Sequence, residues 1–392
     1  MAARLIGLIS VVAAPGLCLP ADRTGEAAKP AAAGLNPLPN TWVEAKLKYV
    51  LPEHVKDAHW QTTDGYCGST YRTKSGAILS RTGVRSKSAG LSPGFYSNAT
   101  LEWLMTSNIV RVVEIANWGG GSYGGGRLLK AYKDHPTPTP RHTYDGITYV
   151  PRLDAMYFML GANWRVASKA TEQAKAEHAR DEKCTWKYTF ADRRWHRIED
   201  SIRRFWPTGR QVSPYEAHMQ YWPEGDRILF LNDRGRYYAE FDVKTEKWAK
   251  LEPANKAPMS LYNARSTWDS KRGIWVFRLG PKLCTFDPRT RNFKALPNCP
   301  AGEKDKSKGV VHIPAHDVYL VTGATGSDTH VYDIDNGEWS TVKGGDIKLV
   351  NGYPQYDPKT DLVGLVYQLK AYVFRYVPGR TPTTAPTKGA SK

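Results

Sequence analysis

Cysteine, methionine and long apolar runs are scarce in this chain of 392 residues, whereas Trp and Tyr are abundant. It has 5 cysteines and 6 methionines against 13 tryptophans and 22 tyrosines. Beyond the N-terminal stretch, no segment approaches the roughly 20 apolar residues of a membrane-spanning helix. The cysteine spacings do not resemble a zinc site. These absences argue against a helical membrane protein and a structural zinc site, and the surplus of Tyr and Trp suits β-rich packing and sugar-like ligands.

Catalytic motifs are also scarce. No ordered set of Ser, His and Asp and no paired-carboxylate motif stands out. The glycine-rich run at 118–127, WGGGSYGGGR, lacks the Lys-Ser/Thr of a phosphate-binding loop and the βαβ unit of a dinucleotide site. The sequence therefore leans away from an enzyme and predicts no cofactor. Asp64, Asp145 and His218 are the weak candidates for catalytic residues.

Positive charge is in excess, with a formal net charge of +17 at pH 7. Such a charge attracts anionic partners, for example acidic polysaccharide or other acidic surface components. Nucleic acid is not favoured as the partner, because the basic residues are spread over several loops without a long Lys/Arg run. The alternative interpretation is that the charge only keeps the protein soluble.

The N-terminus has the outline of a secretory signal peptide over residues 1–21. Arg4 precedes an apolar run at 5–14, and the small residue Ala21 provides a cleavage site. An Ala/Pro-rich linker follows at 22–39, and a polar tail covers 379–392. We therefore expect a secreted or periplasmic protein without a membrane span, folded as one propeller domain over 40–378.

Four cysteines follow the predicted cleavage site, and an even number in an exported chain allows two disulfides. Cys284 and Cys299 flank one predicted hairpin, so they are the favoured pair. This pairing leaves Cys67 to bond with Cys184.

A hairpin pattern recurs along the chain, in which an aromatic residue is followed seven positions later by another large residue. Its clearest copies are AEFDVKTEKWAKL, with Phe241 and Trp248, and HVYDIDNGEWSTV, with Tyr332 and Trp339. The last three copies lie about 45 residues apart, which is within the repeat length of propeller blades. The other copies pair Phe286 with Phe293, Trp103 with Val110 and, over a shorter turn, Phe190 with Trp195.

A second hairpin lies next to each copy, so each unit predicts four antiparallel strands, a to d, numbered from the centre outwards. The predicted fold is all-β, a six-bladed β-propeller with blades at about 59–115, 142–198, 215–251, 262–296, 308–342 and 350–378. The last unit lacks strand d, and residues 40–47 (NTWVEAKL) supply it, with Trp42 in the place of Trp248. An N-terminal strand then closes the ring and removes exposed sheet edges. The tryptophan that opens strand d is predicted to fill the gap between adjacent blades.

This pattern resembles the kelch-type propeller family over roughly residues 40–378. The aromatic-to-Trp hairpin carries the resemblance, most clearly in Phe241/Trp248 and Tyr332/Trp339. The glycine doublet that kelch units carry after strand b is mostly lacking and is reduced to single glycines, such as Gly161. The resemblance implies the propeller fold.

Long insertions fall on one face of the predicted propeller, where the b–c connections and d–a crossings lie. They occupy 80–98, 116–141, 161–184 and 199–214. Elaborated loops on a rigid scaffold often carry function, and aromatic rings stack on sugars while Arg holds carboxylate or sulfate. The alternative role of these residues is to pack the loops onto the propeller. The predicted ligand-binding residues in the insertions are Trp118, Tyr123, Arg127, Trp164, Arg165 and Trp206.

Polar residues also begin strand a of several blades, where the central channel opens on the same face. Asp64, Asp145, Lys308 and Asn351 form a predicted ring at this mouth, and Lys308 and Asn351 join the predicted ligand-binding set. Such a ring can bind a cation, water or the hydroxyl groups of a ligand. The alternative is that these side chains only satisfy backbone donors at the crossings.

Three functions remain open at this point. The first is an exported kelch-like binding module that recognises an anionic carbohydrate or surface component through the loops above blades 1–3. The second is a carbohydrate-active lyase or hydrolase with its site at the channel mouth. The third is a protein-interaction subunit of an extracellular or periplasmic assembly.

Overall fold

The computed structural model describes the propeller body of the chain. The described residues are 37–50, 68–81, 100–105, 107, 109–114, 118–119, 127–128, 136–138, 143–161, 171–181, 183–206, 217–232, 236–300, 309–322, 328–343, 352–367 and 370–379. The predicted signal peptide and almost all of the predicted linker and tail lie outside these ranges. In the described ranges, no helix combines the length and apolar character needed to cross a membrane.

Six antiparallel sheets form the blades of a β-propeller, as predicted. In four blades, strands a to d follow one another along the chain. Blade 2 has β9 (Ile147–Val150), β10 (Ala155–Phe158), β11 (Thr185–Thr189) and β12 (Arg194–Ile198). Blade 3 has β13 (His218–Trp222), β14 (Arg227–Asn232), β15 (Tyr237–Asp242) and β16 (Lys247–Leu251). Blade 4 has β17 (Arg265–Asp269), β18 (Ile274–Leu279), β19 (Lys282–Asp287) and β20 (Asn292–Leu296). Blade 5 has β21 (Val310–Ile313), β22 (Val318–Thr322), β23 (Thr329–Asp333) and β24 (Glu338–Val342).

The other two blades share the N-terminal segment. Blade 6 has β25 (Gln355–Asp357), β26 (Leu362–Tyr367) and β27 (Lys370–Phe374), with β1 (Val43–Ala45) as its outermost strand. Blade 1 has β3 (Ser69–Arg72), β4 (Ala77–Arg81), β5 (Thr100–Leu104) and β6 (Ile109–Glu114), and β2 (Lys48–Val50) adds a fifth strand parallel to β6. Four strands were predicted for this blade, so the fifth is a correction.

Ring closure by the N-terminus is confirmed at the level of register. Val43 pairs with Val373, and the ring centroids of Trp42 and Phe374 lie 5.0 Å apart. Just upstream, the Asn40 side chain exchanges two 2.8 Å hydrogen bonds with the backbone of Val377. Blade 6 is therefore completed by the first strand of the propeller.

The aromatic hairpins pair as cross-strand neighbours in strands c and d. Phe241 lies opposite Trp248, and Trp195 lies opposite Tyr188. The prediction that Phe190 is the partner of Trp195 is therefore wrong. Phe190 lies in the turn beyond β11, under the Arg72 guanidinium, and blade 2 keeps the spacing of seven found elsewhere.

Indole N–H groups connect neighbouring blades. Trp248 Nε1 donates to Thr185 Oγ1 in blade 2, and Trp42 Nε1 donates to Thr329 Oγ1 in blade 5, both at 2.8 Å. Each threonine is the first residue of strand c in the preceding blade. Clusters of buried side chains fill the junctions between the six adjacent pairs of blades. The predicted role of the strand-d tryptophan is thus observed at two junctions.

The predicted disulfide between Cys284 and Cys299 is not formed. Cys284 packs in the cluster between blades 3 and 4, while its neighbour Leu283 shares the cluster between blades 4 and 5 with Cys299. Because side chains alternate along a strand, the two thiols lie on opposite faces of blade 4. Both are buried, as is Cys184, and none of the three forms a disulfide. Cys67 lies outside the described residues.

The remaining elements belong to the insertions. They are the two-stranded pair β7 (Trp118–Gly119) and β8 (Arg127–Leu128), helix α1 (Glu172–Asp181), and a 3-10 turn at Ile202–Arg204. A further 3-10 turn, Pro151–Leu153, forms the a–b turn of blade 2. Arg197 of β12 donates a 2.7 Å hydrogen bond to Glu177 of α1, which fixes the helix against blade 2.

Candidate ligand-binding site in the central channel

The six innermost strands share a side-chain pattern at the channel wall. An aromatic or imidazole residue is followed two positions later by Pro, Ser or Thr and five positions later by Asp or Gly. The Asp or Gly adopts positive φ in every copy, from 45° at Asp154 to 71° at Gly76, a conformation that Gly, Asn and Asp tolerate best. The wall residues are Tyr71, Tyr149, Tyr221, Trp268, His312 and Tyr356. This spacing was readable in the sequence but was not recognised there.

The a–b turn aspartates orient the wall tyrosines. Tyr149 donates its hydroxyl to Asp154 at 2.8 Å, and Tyr221 donates to Asp226 at 2.9 Å. Burial and this hydrogen bond raise the pKa of each tyrosine to about 12. Tyr356 repeats the arrangement with its own turn aspartate. The phenol groups are therefore neutral and held in place along the wall.

A cavity of about 430 Å³ occupies the channel between these six strands. Its size lies within the range of about 300–1,000 Å³ typical of small-molecule sites. Besides the aromatic residues, hydroxyl and amide groups such as those of Thr70, Thr148, Gln220 and Gln355 line it. Among the described lining residues there is no Lys, Arg or Glu, and Asp145 is the one carboxylate. The cavity is thus polar but nearly uncharged.

Two of the predicted catalytic candidates, Asp145 and His218, lie together at the inner end of this cavity. Asp145 Oδ2 is 2.9 Å from His218 Nδ1 and accepts a 2.9 Å hydrogen bond from Ser266. His218 Nε2 lies 2.9 Å from the Leu261 carbonyl oxygen. The imidazole is thus held between the Asp145 carboxylate and the Leu261 carbonyl oxygen. The pair ties blade 2 to blade 3, and Asp64 lies outside the described residues.

Three large buried side chains lie in the innermost strands at this end of the channel. His218, Arg265 and Tyr353 occupy the same position, three residues before the wall residue of their strands, and are 2%, 2% and 5% exposed. The Arg265 guanidinium lies 4.4 Å from the centroid of the Tyr353 ring. The other three blades have glycine at this position: Gly68, Gly146 and Gly309. At Gly309 a Cβ would come within 2.0 Å of Pro354, and at Gly68 within 1.8 Å of the Tyr144 carbonyl oxygen, so these two glycines allow the chain of the neighbouring blade to approach closely.

The opposite end of the channel is open. In five blades, the residue two positions after the wall residue is exposed and still lines the cavity. These residues are Thr73, Pro151, Pro223, Ser270 and Pro358. This end faces the a–b and c–d turns. The functional face was predicted on the other side, with the insertions. Because Asp64, Lys308 and Asn351 lie outside the described residues, the channel mouth predicted there stays a prediction.

Ion pairs between neighbouring blades surround the open end. Arg72 of blade 1 holds the turn aspartate of blade 2, Asp154, in two 2.8 Å hydrogen bonds. Burial alone would raise the pKa of Asp154, but hydrogen bonds from Arg72, Tyr149 and Lys74 lower it to about 2. The same blade-to-blade contact recurs between Arg152 and Asp226, Arg272 and Asp317, and His316 and Asp361. We call this set the turn-face belt.

A second ring of side chains lies one position beyond the exposed ring. Four blades have an exposed basic residue at this position, and the other two have Glu224 and Ala315. The basic residues are Lys74, Arg152, Lys271 and Lys359. Lys74 and Lys271 are 68% and 46% exposed although each contacts an aspartate of the belt. The rim of the open end therefore carries four basic groups against one acidic group.

Most of the predicted ligand-binding residues cannot be placed in this site. Trp206 is buried between blades 2 and 3, with its ring 5.0 Å from that of Tyr237, which is the packing role given as its alternative. Trp118 and Arg127 lie on β7 and β8. The residues outside the described ranges are Tyr123, Trp164, Arg165, Lys308 and Asn351.

In the described ranges, no group of three His, Cys, Asp or Glu side chains is placed to hold a metal ion. The predicted channel-bound cation stays a prediction.

No protein-family model matches the chain, and no curated protein sequence is similar enough to count as a relative. The class of the protein is therefore defined by its architecture, a six-bladed β-propeller. Propellers of this kind serve in general as binding or interaction modules.

Proposed function

We propose that this protein is a carbohydrate-binding module that holds an acidic sugar at the open end of its channel. The observation that carries the proposal is the chemistry of the cavity, in which hydroxyl and amide groups alternate with one ring per blade. Sugars present hydroxyl groups at their edges and C–H groups on their faces, and the two kinds of side chain complement them.

The basic rim supports an acidic ligand. A carboxylate or sulfate finds no basic partner inside the cavity, because neither Lys nor Arg is among its described lining residues. The carboxylate of Asp145 is bonded to His218 and Ser266. Lys359 and Lys74 lie where such a group would emerge from the channel. The net charge of +17 favours approach of an anionic chain. Export of the protein to an extracytoplasmic compartment is part of this proposal.

The test is calorimetric titration of the full chain with uronic acid oligosaccharides and their neutral counterparts. Trp268→Ala is the diagnostic variant, because Trp268 lines the cavity, and Trp222→Ala is the matched control. Both tryptophans are half-buried and pack on the same core cluster, but Trp222 does not line the cavity.

We expect Trp268→Ala to weaken binding by about 5- to 150-fold, since loss of one stacking ring costs about 1–3 kcal/mol, while Trp222→Ala binds as the wild type does. Lys359→Ala should weaken acidic ligands more than neutral ones. Absence of binding to acidic oligosaccharides, or equal losses in the two tryptophan variants, would overturn the proposal.

A further inference from the structure

The c–d turns of blades 2 to 5 lie on the same face as the open end of the channel. They cover residues 189–194, 242–247, 287–292 and 333–338, and in each the first residue pairs with the last. Arg289 of the blade 4 c–d turn donates a 3.0 Å hydrogen bond to the Arg272 carbonyl oxygen in the a–b turn of that blade. Strands a and d are three strand spacings apart, so the c–d turns lie about 14 Å outwards from the channel wall.

Five exposed basic side chains lie on the c–d turns of blades 2, 3 and 4. They are Arg193, Arg194, Lys244, Lys247 and Arg291. The acidic residues of the same turns are held by other partners, at 2.8 to 3.0 Å, in the pairs His196–Asp192, Lys187–Glu246, Arg227–Asp242 and Arg289–Asp287. Among the described residues, this leaves the five basic groups without an ion pair. We call these five residues the cationic arc.

The cationic arc ends at blade 5, where the same turn is acidic. Residues 333–338 contain Asp333, Asp335 and Glu338 and no basic residue. An anionic chain that leaves the channel is therefore attracted over blades 2 to 4 and repelled over blade 5. Because salt screens exposed charges beyond about 8–10 Å, the arc acts on groups that lie on it and hardly on a ligand held within the channel.

The backbone at two positions of the arc favours glycine over arginine. Arg193 and Arg291 both have a φ of 57°, in the left-handed region where a side chain costs free energy and glycine does not. Blade 5 has Gly337 at the equivalent position. Folding therefore does not account for the two arginines, whereas contact with an anionic partner does.

Resting on the proposed function, we infer that the cationic arc is a second contact surface for the acidic carbohydrate chain, beyond the unit held in the channel. Carboxylate or sulfate groups on units outside the channel meet these Arg and Lys side chains, and Arg can hold each such group through two parallel N–H bonds. The chain links the two contacts, so their contributions combine as in a multivalent ligand. The channel thus selects for a sugar, and the arc selects for a longer acidic chain.

The experiment compares a disaccharide and a dodecasaccharide of one acidic carbohydrate in calorimetric titrations of the full chain. The diagnostic variant combines Arg193→Gly with Arg291→Gly. Since glycine suits the positive φ, we expect this variant to unfold at a temperature no lower than that of the wild type. It should bind the disaccharide unchanged and the dodecasaccharide about 2- to 25-fold more weakly, because each exposed charge contributes a factor of about 1.5 to 5.

Two controls separate the position of the charges from their number. Glu246→Gly changes the same turn position in blade 3, where φ is 55°, but removes the opposite charge. It should bind the dodecasaccharide at least as tightly as the wild type. Lys343→Gln combined with Lys370→Gln removes two positive charges from the other face, where these side chains are 77% and 54% exposed. It should leave both affinities unchanged.

Equal losses for the two chain lengths, or an equal loss in the lysine control, would indicate attraction by net charge alone. Either result would overturn the cationic arc as a contact surface and leave the proposed function standing. Equal displacement of the dodecasaccharide by single-stranded DNA of the same charge would overturn carbohydrate as the partner of the arc. If neither length binds, the proposed function fails and this inference with it.

Discussion

A tryptophan at the start of an outer strand fastens its blade to the one before it. Trp248 is 1% exposed, and its ring centroid is 5.1 Å from that of Phe241. Its N–H group bonds to Thr185, whose hydroxyl in turn donates to the Asp200 carbonyl oxygen. Trp42 makes the equivalent contact with Thr329 in another part of the ring. One residue thus supplies both apolar contact and a directed hydrogen bond between blades.

Replacing Trp248 by Phe should keep most of the apolar contact and remove the hydrogen bond. We expect the free energy of unfolding to fall by about 1–3 kcal/mol, because a buried hydroxyl loses a donor and a small void forms. Trp42→Phe should cost a similar amount. Chemical denaturation measures both, with Trp339→Phe as the control at a partly exposed site. Equal losses in all three variants would contradict a special role for the buried contact.

His312 takes the wall position that is tyrosine in four other blades. Its ring nitrogens lie 3.6 Å from an Asp269 oxygen and 3.4 Å from an Asp317 oxygen, and Arg272 binds both of these carboxylates. Tyr319 also donates to Asp269. Burial lowers the pKa of His312, and this effect outweighs the two carboxylates that would raise it. The neutral imidazole is therefore the form that the fold favours.

Acidification should destabilise the protein through His312. Because the unfolded chain takes up this proton more readily than the folded one, the stability is present above the ordinary histidine pKa of about 6.5 and is lost as pH falls below it. His312→Tyr reproduces the pairing of Tyr149 and Tyr221 with their turn aspartates, so it should fold and show a shallower fall in unfolding free energy between about pH 7.5 and 5. Denaturant titrations at several pH values measure this slope, and an unchanged slope would refute the assignment.

Roles of individual residues were predictable where partners lie in one hairpin. The pairing of Phe241 with Trp248 follows from a spacing of seven across a tight turn. The contact of Arg72 with Asp154 joins two blades, and nothing in either hairpin specifies which arginine meets which aspartate. Cys284 and Cys299 show the same limit, because their closeness in sequence hides the fact that blade 4 separates them.

At the scale of elements, the N-terminal segment is shared by two blades. β1 is the outermost strand of blade 6, and β2, two residues later, is the outermost strand of blade 1. Leu47, between the strands, packs on the core cluster of that junction. The segment therefore covers the outer edges of both blades where the ring closes.

Removing this segment should open the ring. A chain that begins at residue 51 loses both outer strands and the Trp42 contact, whereas one that begins at residue 37 keeps them. We expect the shorter chain to lose cooperative thermal unfolding and to aggregate through its uncovered edges, and a synthetic peptide of residues 37–50 to restore the transition. If the two truncated chains melt alike, the segment does not close the ring.

The order of hairpins and the closing strand were predictable from the sequence, since each blade repeats a local pattern. The fifth strand of blade 1 was not, because it pairs in parallel with β6. Parallel strands are not joined by a tight turn that could be recognised in the sequence. The three residues of β2 are also too few to show an alternating pattern of apolar and polar residues.

At the scale of the whole molecule, the turn-face belt joins successive blades around the ring through charges of different burial. Arg272 binds Asp317 and also Asp269, which is fully buried. Arg152 and Asp226 form a similar pair at an exposed position, where their side chains are 43% and 35% exposed. The contribution of the belt should therefore differ from one blade junction to the next.

Two matched substitutions test this difference. Arg272→Met should cost about 2–4 kcal/mol, somewhat less than a fully buried pair because Arg272 is one-third exposed. Arg152→Met should cost about 0–1 kcal/mol, as exposed ion pairs usually do. Both variants keep the aliphatic stem, and urea unfolding gives the two losses. A larger loss for Arg152 would contradict the dependence on burial.

The face that carries the cavity could not be predicted from the lengths of the loops. Insertions pointed to the d–a side, whereas the residues that line the cavity extend to exposed positions of the a–b turns, such as Pro151 and Pro223. Which six side chains meet on the axis depends on the relative height of the blades, and hairpin patterns do not report that height. The rim lysines share this limit, because their positions in the turns become a ring only in the assembled propeller.

The shared outer strands also bear on how the protein is made. Asn40 and Val377, bonded to each other in the finished fold, are separated by 337 positions in the chain. During translation, the first strand must wait unpaired while five blades emerge and fold, since domains form as they leave the ribosome. The ring can therefore lock only after β27 has been made, and a ribosome stalled before β27 would leave a stack of blades without a lock.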